Sequence, residues 1–210
     1  LSPDSYTPRN VYWLRRGSAS DAGAAEAAPR PQPSPTPVSP TGVVTATNRN
    51  SGIQLQGGIT LPSTVTFVTS NDGIGATVPY AIANLGGDNT INGTITLTQG
   101  GGGSVIQSDA GSLTLAGNIS IAAGQSSRGI ILQGASTGAN TFSGVLSDLS
   151  TSSKASITKY GTGTWTLSNT STYTGATTVA AGIRAVHGSI ATSSGVAVNS
   201  GATLRGTGTV

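Results

Sequence analysis

The chain is predicted to be all-β, a parallel β-helix (β-solenoid) preceded by an extended Pro-rich N-terminal arm. Three observations predict it. Apolar–polar alternations recur along residues 42–210, as in Thr164-Trp165-Thr166-Leu167, Thr177-Thr178-Val179 and Val196-Ala197-Val198, and a period of two builds strands with one buried face. Gly, Asn and Ser interrupt them every few residues, too often for a wide flat sheet but as required of a chain that turns and stacks on itself. Charged residues are 8 %, with one Glu and two Lys, whereas soluble helices carry Glu and Lys on their wet face.

Three zones follow in order. Residues 1–28 are an N-terminal arm holding Tyr6, Tyr12 and Trp13. Its Ala-rich run 20–28 would form a short helix capped by Ser20 or Asp21 and weakened by Gly23. Residues 29–41 read PRPQPSPTPVSPT. Each Pro fixes φ and removes a donor, so this is an extended polyproline-II linker. Such an arm is expected to be held by its own solenoid or by a neighbouring subunit.

Residues 42–210 are the solenoid. The predicted strands are 43–45, 64–68, 90–98, 104–107, 112–115, 119–121, 129–133, 143–146, 155–158, 164–168, 177–180, 183–187, 195–199 and 203–205. Thr94-Ile-Thr-Leu97 and Ser112-Leu-Thr-Leu115 are near copies. Their separation predicts one coil per roughly 18 residues, within the range of solenoid repeats. Alternation would bury Ile95, Leu97, Leu113, Leu115, Ile119, Ile121, Ile131, Val145, Ile157, Trp165, Leu167, Val179, Val186, Val198 and Leu204. Gly161, Gly163, Gly175, Gly182, Gly188, Gly195, Gly201, Gly206 and Gly208 are placed at corners, where positive φ carries no steric penalty for glycine.

Composition excludes several functions. The net charge is +3 and the basic residues are scattered, with Arg15-Arg16 the one adjacent pair; a nucleic-acid binder needs a basic stripe. There is no Cys or Met, so neither disulfides nor thiolate metal sites are available. No apolar run reaches the ~18 residues of a membrane span. With little charge and much Ser, Thr, Gly and Asn, the composition suits an exported protein of the bacterial surface. The chain starts at Leu1 without a signal-like core, so it is expected to be a processed form or a fragment, its signal already removed.

The stretch Ala155–Val210 resembles the autotransporter passenger-associated β-strand repeat. Ile157, Lys159, Gly161, Gly163, Thr164, Leu167, Ser168, Tyr173, Gly175, Thr177, Val179, Gly182 and Ile183 fit its pattern. Thr172 stands where that family usually has Asn, and Trp165 where it usually has Leu. Residues 89–121 are similar to the coils that precede such repeats. The resemblance implies an exported parallel β-helix that serves as a shaft, without catalytic, cofactor or metal residues. Residues 1–41 have no counterpart in it.

Candidate chemistry is sparse. The single His187 closes a short strand before Gly188 and is expected at a solvent-facing corner. Asp72, Asp88, Asp109 and Asp148 are the carboxylates of the solenoid zone. The separation of Asp88 and Asp109 is close to one coil, and a glycosidase-like pair would need two carboxylates at a defined distance; turn sequences around both favour polar corners. Gly100–Gly103 lacks the Lys-Ser/Thr of a phosphate loop, and the calcium-binding nonapeptide is absent. Tyr160 and Tyr173 flank Trp165 and invite a sugar-stacking reading, but the phase of alternation turns Trp165 inward.

Strand edges at the two ends of a solenoid template further stacking. The tail Gly206-Thr-Gly-Thr-Val210 carries no Pro or charge cluster. Either the chain is a piece of a longer shaft, or another copy stacks there; the second case, head-to-tail stacking into a filament, is the reading preferred. Its predicted interface comprises Gly206 and Val210 with Tyr6, Tyr12, Trp13, Leu14, Arg15 and Arg16 of the arm, lying along or donating a strand to a neighbour. Surface glycans are the alternative partner, on a passenger or adhesin shaft, and a polysaccharide-active β-helix enzyme is the third reading.

Overall fold

The computed structural model describes residues 11–15, 41–46, 51–70, 79–98 and 103–210. Its first strand, β1 (Val11–Arg15), comes from the arm. Strands then come in sets of three: β2 (Gly42–Ala46), β3 (Gly52–Gln56) and β4 (Thr60–Leu61); β5 (Val65–Thr69), β6 (Ile82–Gly86) and β7 (Asp88–Ile91); β8 (Ile95–Leu97), β9 (Ser104–Ser108) and β10 (Ser112–Leu115); β11 (Ile119–Ile121), β12 (Arg128–Gln133) and β13 (Thr141–Phe142). Nearer the C-terminus they come in pairs: β14 (Ala155–Lys159) and β15 (Thr164–Leu167); β16 (Thr177–Val179) and β17 (Ile183–Val186); β18 (Val196–Val198) and β19 (Thr203–Gly206). No α-helix occurs among the described residues.

Like positions of successive coils stack into three parallel sheets. The first runs β1-β3-β6-β9-β12-β14-β16-β18, the second β4-β7-β10-β13-β15-β17-β19 and the third β2-β5-β8-β11. The chain is thus an all-β parallel solenoid, as expected. Beyond β11 the third sheet shrinks to single bridges, Ile119 to Leu146, Thr170 to Ser189 and Ser189 to Thr209.

The coil length differs from the one that the near copies predict. Ile82 pairs with Ile106, Thr90 with Thr114 and Ile95 with Ile119. Each is the same sequence step of 24 that separates Asp88 from Ser112, which bond across adjacent coils. The near copies around Thr96 and Thr114 sit in different sheets of the same coil, so their spacing measures a coil's arc rather than its circumference. Coils shorten toward the C-terminus, where Thr177 pairs with Val196 and Thr164 with Ile183. There the step falls to 19, as in the bond from the Thr192 hydroxyl to the carbonyl of Tyr173.

A continuous aliphatic column fills the interior. Ile95, Leu97, Leu113, Leu115, Ile119, Ile121, Ile157, Trp165, Leu167, Val179 and Val186 are buried as expected. Two phases differ from expectation. Ile130 and Leu132 point inward and Ile131 does not; Leu146 is buried and Val145 is not. Val198 is 45 % exposed and Leu204 only half-buried, because no further coil of the described chain lies over them. The expected strand 90–98 is two strands, broken at Gly93, and residues 143–146 reduce to one bridge. In the solenoid zone β3, β4, β6 and β13 are strands that the alternation does not predict.

Corners fix the stacking distance. A Cβ built on Gly93 would lie 1.6 Å from the carbonyl oxygen of Val65, one on Gly117 1.9 Å from that of Gly93, and one on Gly144 2.0 Å from that of Gly117. This column of glycines exists because one backbone rests directly on the next. At the corner between the first and second sheets the strands break, and buried asparagines add side-chain bonds to the main-chain bonds that remain, such as that from the amide of Asp109 to the carbonyl of Asn84. Asn84 donates to the carbonyls of Ala110 and Ser112, Asn89 accepts from the amide of Ile59, and Asn140 accepts from Leu113 and donates to Thr164. Buried polar groups satisfied this way stitch adjacent coils together.

The arm contributes β1, which lies parallel along β3 from Val11 opposite Gly52 to Arg15 opposite Gln56. Tyr12, Trp13, Leu14 and Arg15 therefore form the outermost strand on the N-terminal side of the first sheet. Tyr6, Arg16, the helix expected within 20–28 and the linker 29–40 lie outside the described residues.

Gly117→Ala is expected to lower stability by about 2 kcal/mol, since the added methyl forces two coils apart. Gly195→Ala meets nothing within 4 Å and should be neutral or slightly stabilising. Paired thermal melts compare them; equal melting temperatures would show that the glycine column does not set the coil spacing.

Candidate functional site

Two features stand out, one outside the column and one inside. Outside, an open cleft of about 500 Å³ runs along the asparagine-stitched corner, lined by Asp88, Asp109–Ser112 and Ala135–Ala139. β7 begins at Asp88, directly opposite Ser112 of the next coil. One Asp88 oxygen accepts from both the amide (3.0 Å) and the hydroxyl (2.8 Å) of Ser112. Asp109 follows β9 and accepts from Gln107 (2.7 Å), which accepts from Gln133 one coil on (2.7 Å). The fold brings the two carboxylates to one cleft, though not as ladder partners. Each is held by a neighbouring amide or hydroxyl as a corner residue is, and the cleft presents carboxylates, hydroxyls and backbone to solvent.

Other candidates are placed as follows. His187 is exposed, its Nδ1 3.1 Å from the Thr207 hydroxyl of the next coil, the corner position expected. Asp148 accepts from the amides of Ala155 and Thr174 and from the Thr174 hydroxyl. Partial burial, the largest influence, pushes its pKa up, but those bonds and Lys154 prevail and hold the carboxyl below its ordinary value. Asp72 and Gly100–Gly102 lie outside the described residues. Tyr160 is exposed while Tyr173 and Trp165 are buried, so these three do not make a sugar-stacking platform. Among the described residues no group of three or more His, Asp or Glu is placed to hold a metal.

Inside the C-terminal coils lies a group of side chains that the sequence reading did not place in the core. Lys159 at the end of β14 and Arg184 in β17 are both fully buried. The Lys159 ammonium donates to the carbonyls of Tyr160, Gly161 (2.8 Å) and Ala181 (3.3 Å). Gly161 and Gly182 turn those corners with φ near +70°, and a Cβ on Gly182 would come within 2.9 Å of Lys159 Nζ. Arg184 pairs in the ladder with Trp165 on one side and Leu204 on the other. Among the described residues, none of its Nε, Nη1 and Nη2 has a hydrogen-bond partner. Trp165 Nε1 is occupied by the carbonyl of Gln133 (3.1 Å). The Tyr173 hydroxyl meets that of Thr177 (2.6 Å), which meets that of Ser193 (3.0 Å).

Burial, then the charge of Arg184, pushes the Lys159 pKa down to about 8. Burial likewise lowers Arg184 to about 10, against a small opposing pull from Tyr173. Burial raises the Tyr173 phenol, so it stays protonated at neutral pH.

Comparison with known proteins gives one finding. Residues 157–183 match the family model of the passenger-associated-transport-repeat, which spans β14 to the start of β17 and includes Lys159, Trp165 and Tyr173 but ends one residue before Arg184. The family resemblance read from Ala155 onward is thus supported, and it points to an exported passenger of the autotransporter type. No curated protein and no solved structure matches the chain significantly.

The buried lysine makes stability depend on pH. Between about 8 and its ordinary 10.5 the unfolded chain holds the Lys159 proton and the folded chain has released it, so stability rises with pH through that window. Melting temperature should climb as pH goes from about 8 toward 10, and Lys159→Met should flatten the climb. An unchanged slope in the variant would mean that Lys159 is not the titrating group.

Proposed function

We propose that this chain is a non-enzymatic structural protein of the bacterial surface whose solenoid serves as a shaft. The observation that carries this reading is the stacking of successive coils into three parallel sheets around an interior filled by side chains, with a passenger-associated repeat in the C-terminal coils. Such a body offers length and rigidity, because each coil contacts only its neighbours along one axis.

In its finer form the proposal is a filament of stacked copies. The C-terminal edge offers β18, β19, Gly206 and the exposed Val210. The N-terminal edge offers β2, β4 and β1. In a stack, β1 either stays on its own β3 and pairs outward with the incoming β18, or passes to the neighbour as a donated strand. The Pro-rich linker behind it supplies the reach.

A second reading, a passenger or adhesin shaft that engages surface glycans, is favoured by the cleft with Asp88, Asp109, Ser112, Ser136 and Thr137. Its carboxylates and hydroxyls are the groups that hydrogen-bond to sugars. The same two carboxylates are what the enzymatic reading would use.

Negative-stain electron microscopy with sedimentation is expected to show filaments, and deletion of residues 1–28 to shorten or abolish them. A monodisperse monomer would reject the filament, and fibres unchanged by the deletion would reject the arm's part. Incubation with a polysaccharide panel should release no new reducing ends. Release that disappears in Asp88→Asn and Asp109→Asn would move the protein to the enzymes, whereas binding without release that disappears in them would favour the adhesin.

A further inference from the structure

We propose that the C-terminal coils enclose a binding site for a small monovalent anion of the chloride class, seated on the guanidinium of Arg184. The reading does not depend on the role proposed above.

Arg184 is fully buried, and none of its three nitrogens finds an acceptor among the described residues. A guanidinium carries five N–H donors and keeps its charge at neutral pH. Leaving it desolvated and unpaired is among the least favourable arrangements in a protein interior. The polar groups around it do not neutralise it. Lys159 is a second cation, and its three donors are committed to three carbonyls. Tyr173 is a neutral phenol in the folded chain. The described carboxylates are engaged elsewhere, Asp88 and Asp109 at the outer cleft and Asp148 against Ala155 and Thr174. This stretch of the column therefore holds cations without a counter-charge.

The surroundings select the ligand. The ladder neighbours of Arg184 are Trp165 and Leu204, an indole whose N–H is already occupied and an aliphatic side chain. Walls of this kind do not solvate a bulky, multiply charged oxyanion, and they suit a weakly hydrated monovalent ion. One further donor is at hand. Either oxygen can be the donor in the Tyr173–Thr177 and Thr177–Ser193 pairs. When Ser193 donates to Thr177 and Thr177 to Tyr173, the phenol O–H is left free as a donor. Leu204, in the last described coil, is the ladder partner of Arg184 on the C-terminal side.

The test uses the full chain in fluoride or gluconate salts, titrated with chloride or bromide at constant ionic strength. Melting temperature is expected to rise with halide. Above its Kd, each tenfold increase in halide raises the folding equilibrium constant about tenfold. Lys159→Met should keep this response and Arg184→Met should lose it. A crystal grown in bromide should show an anomalous peak beside Arg184, a readout that stands even if Arg184→Met fails to fold. The proposal is overturned if the melting temperature ignores halide identity, if Arg184→Met responds as the native chain does, or if the anomalous map is empty and only water meets the guanidinium.

Discussion

A parallel coil has to rest on the one before it at the ~4.8 Å spacing of hydrogen-bonded strands, corners included. Straight walls meet that spacing easily, because strand backbones stack with their side chains pointing in or out. Corners do not. There the next backbone arrives where a Cβ would stand, as the 1.6–2.0 Å approaches at Gly93, Gly117 and Gly144 show. The corner glycines and the asparagines that bond from coil to coil where the strands break both follow from this one spacing. It also explains why a chain without disulfides can hold an elongated body together, since main-chain bonds recur at every level.

Much of this was legible in the sequence. Period two over Thr164–Leu167 turned Trp165 inward, against a sugar-stacking role beside Tyr160 and Tyr173, and the structure buries it. The phase failed where apolar residues run together. Ile130-Ile131-Leu132 and Val145-Leu146 give alternation nothing to choose by, and tertiary register decided instead. β6 went unseen for a related reason: Ala81, Ile82, Ala83 and Asn84 are all buried, so its two faces show no contrast. The echo between Thr94–Leu97 and Ser112–Leu115 misled because two walls of one coil face the same interior and draw on the same residues.

The buried cations were within reach of the same rule, applied without prejudice. Val186 was placed inside, and period two then puts Arg184 inside as well. Ile157 inside puts Lys159 inside. Both side chains are buried despite their charge. Lys159 is accommodated because two glycine corners aim carbonyls at it, a local solution that no pattern of hydrophobicity announces. Arg184 has no such solution among the described residues. The outer cleft was half legible: the sequence proximity of Asp88 and Asp109 was noticed, but the true length of the coil that sets them at one corner was not.

Long coils give way to shorter ones, and the third wall dwindles to single bridges. The body consequently tapers, broad where the arm's strand lies and slender beyond β14. Bodies of this kind laid end to end would not make a smooth rod. Each slender tip would meet a wider base, leaving a ledge once per subunit, and that ledge would give the rod a polarity readable from its outline alone.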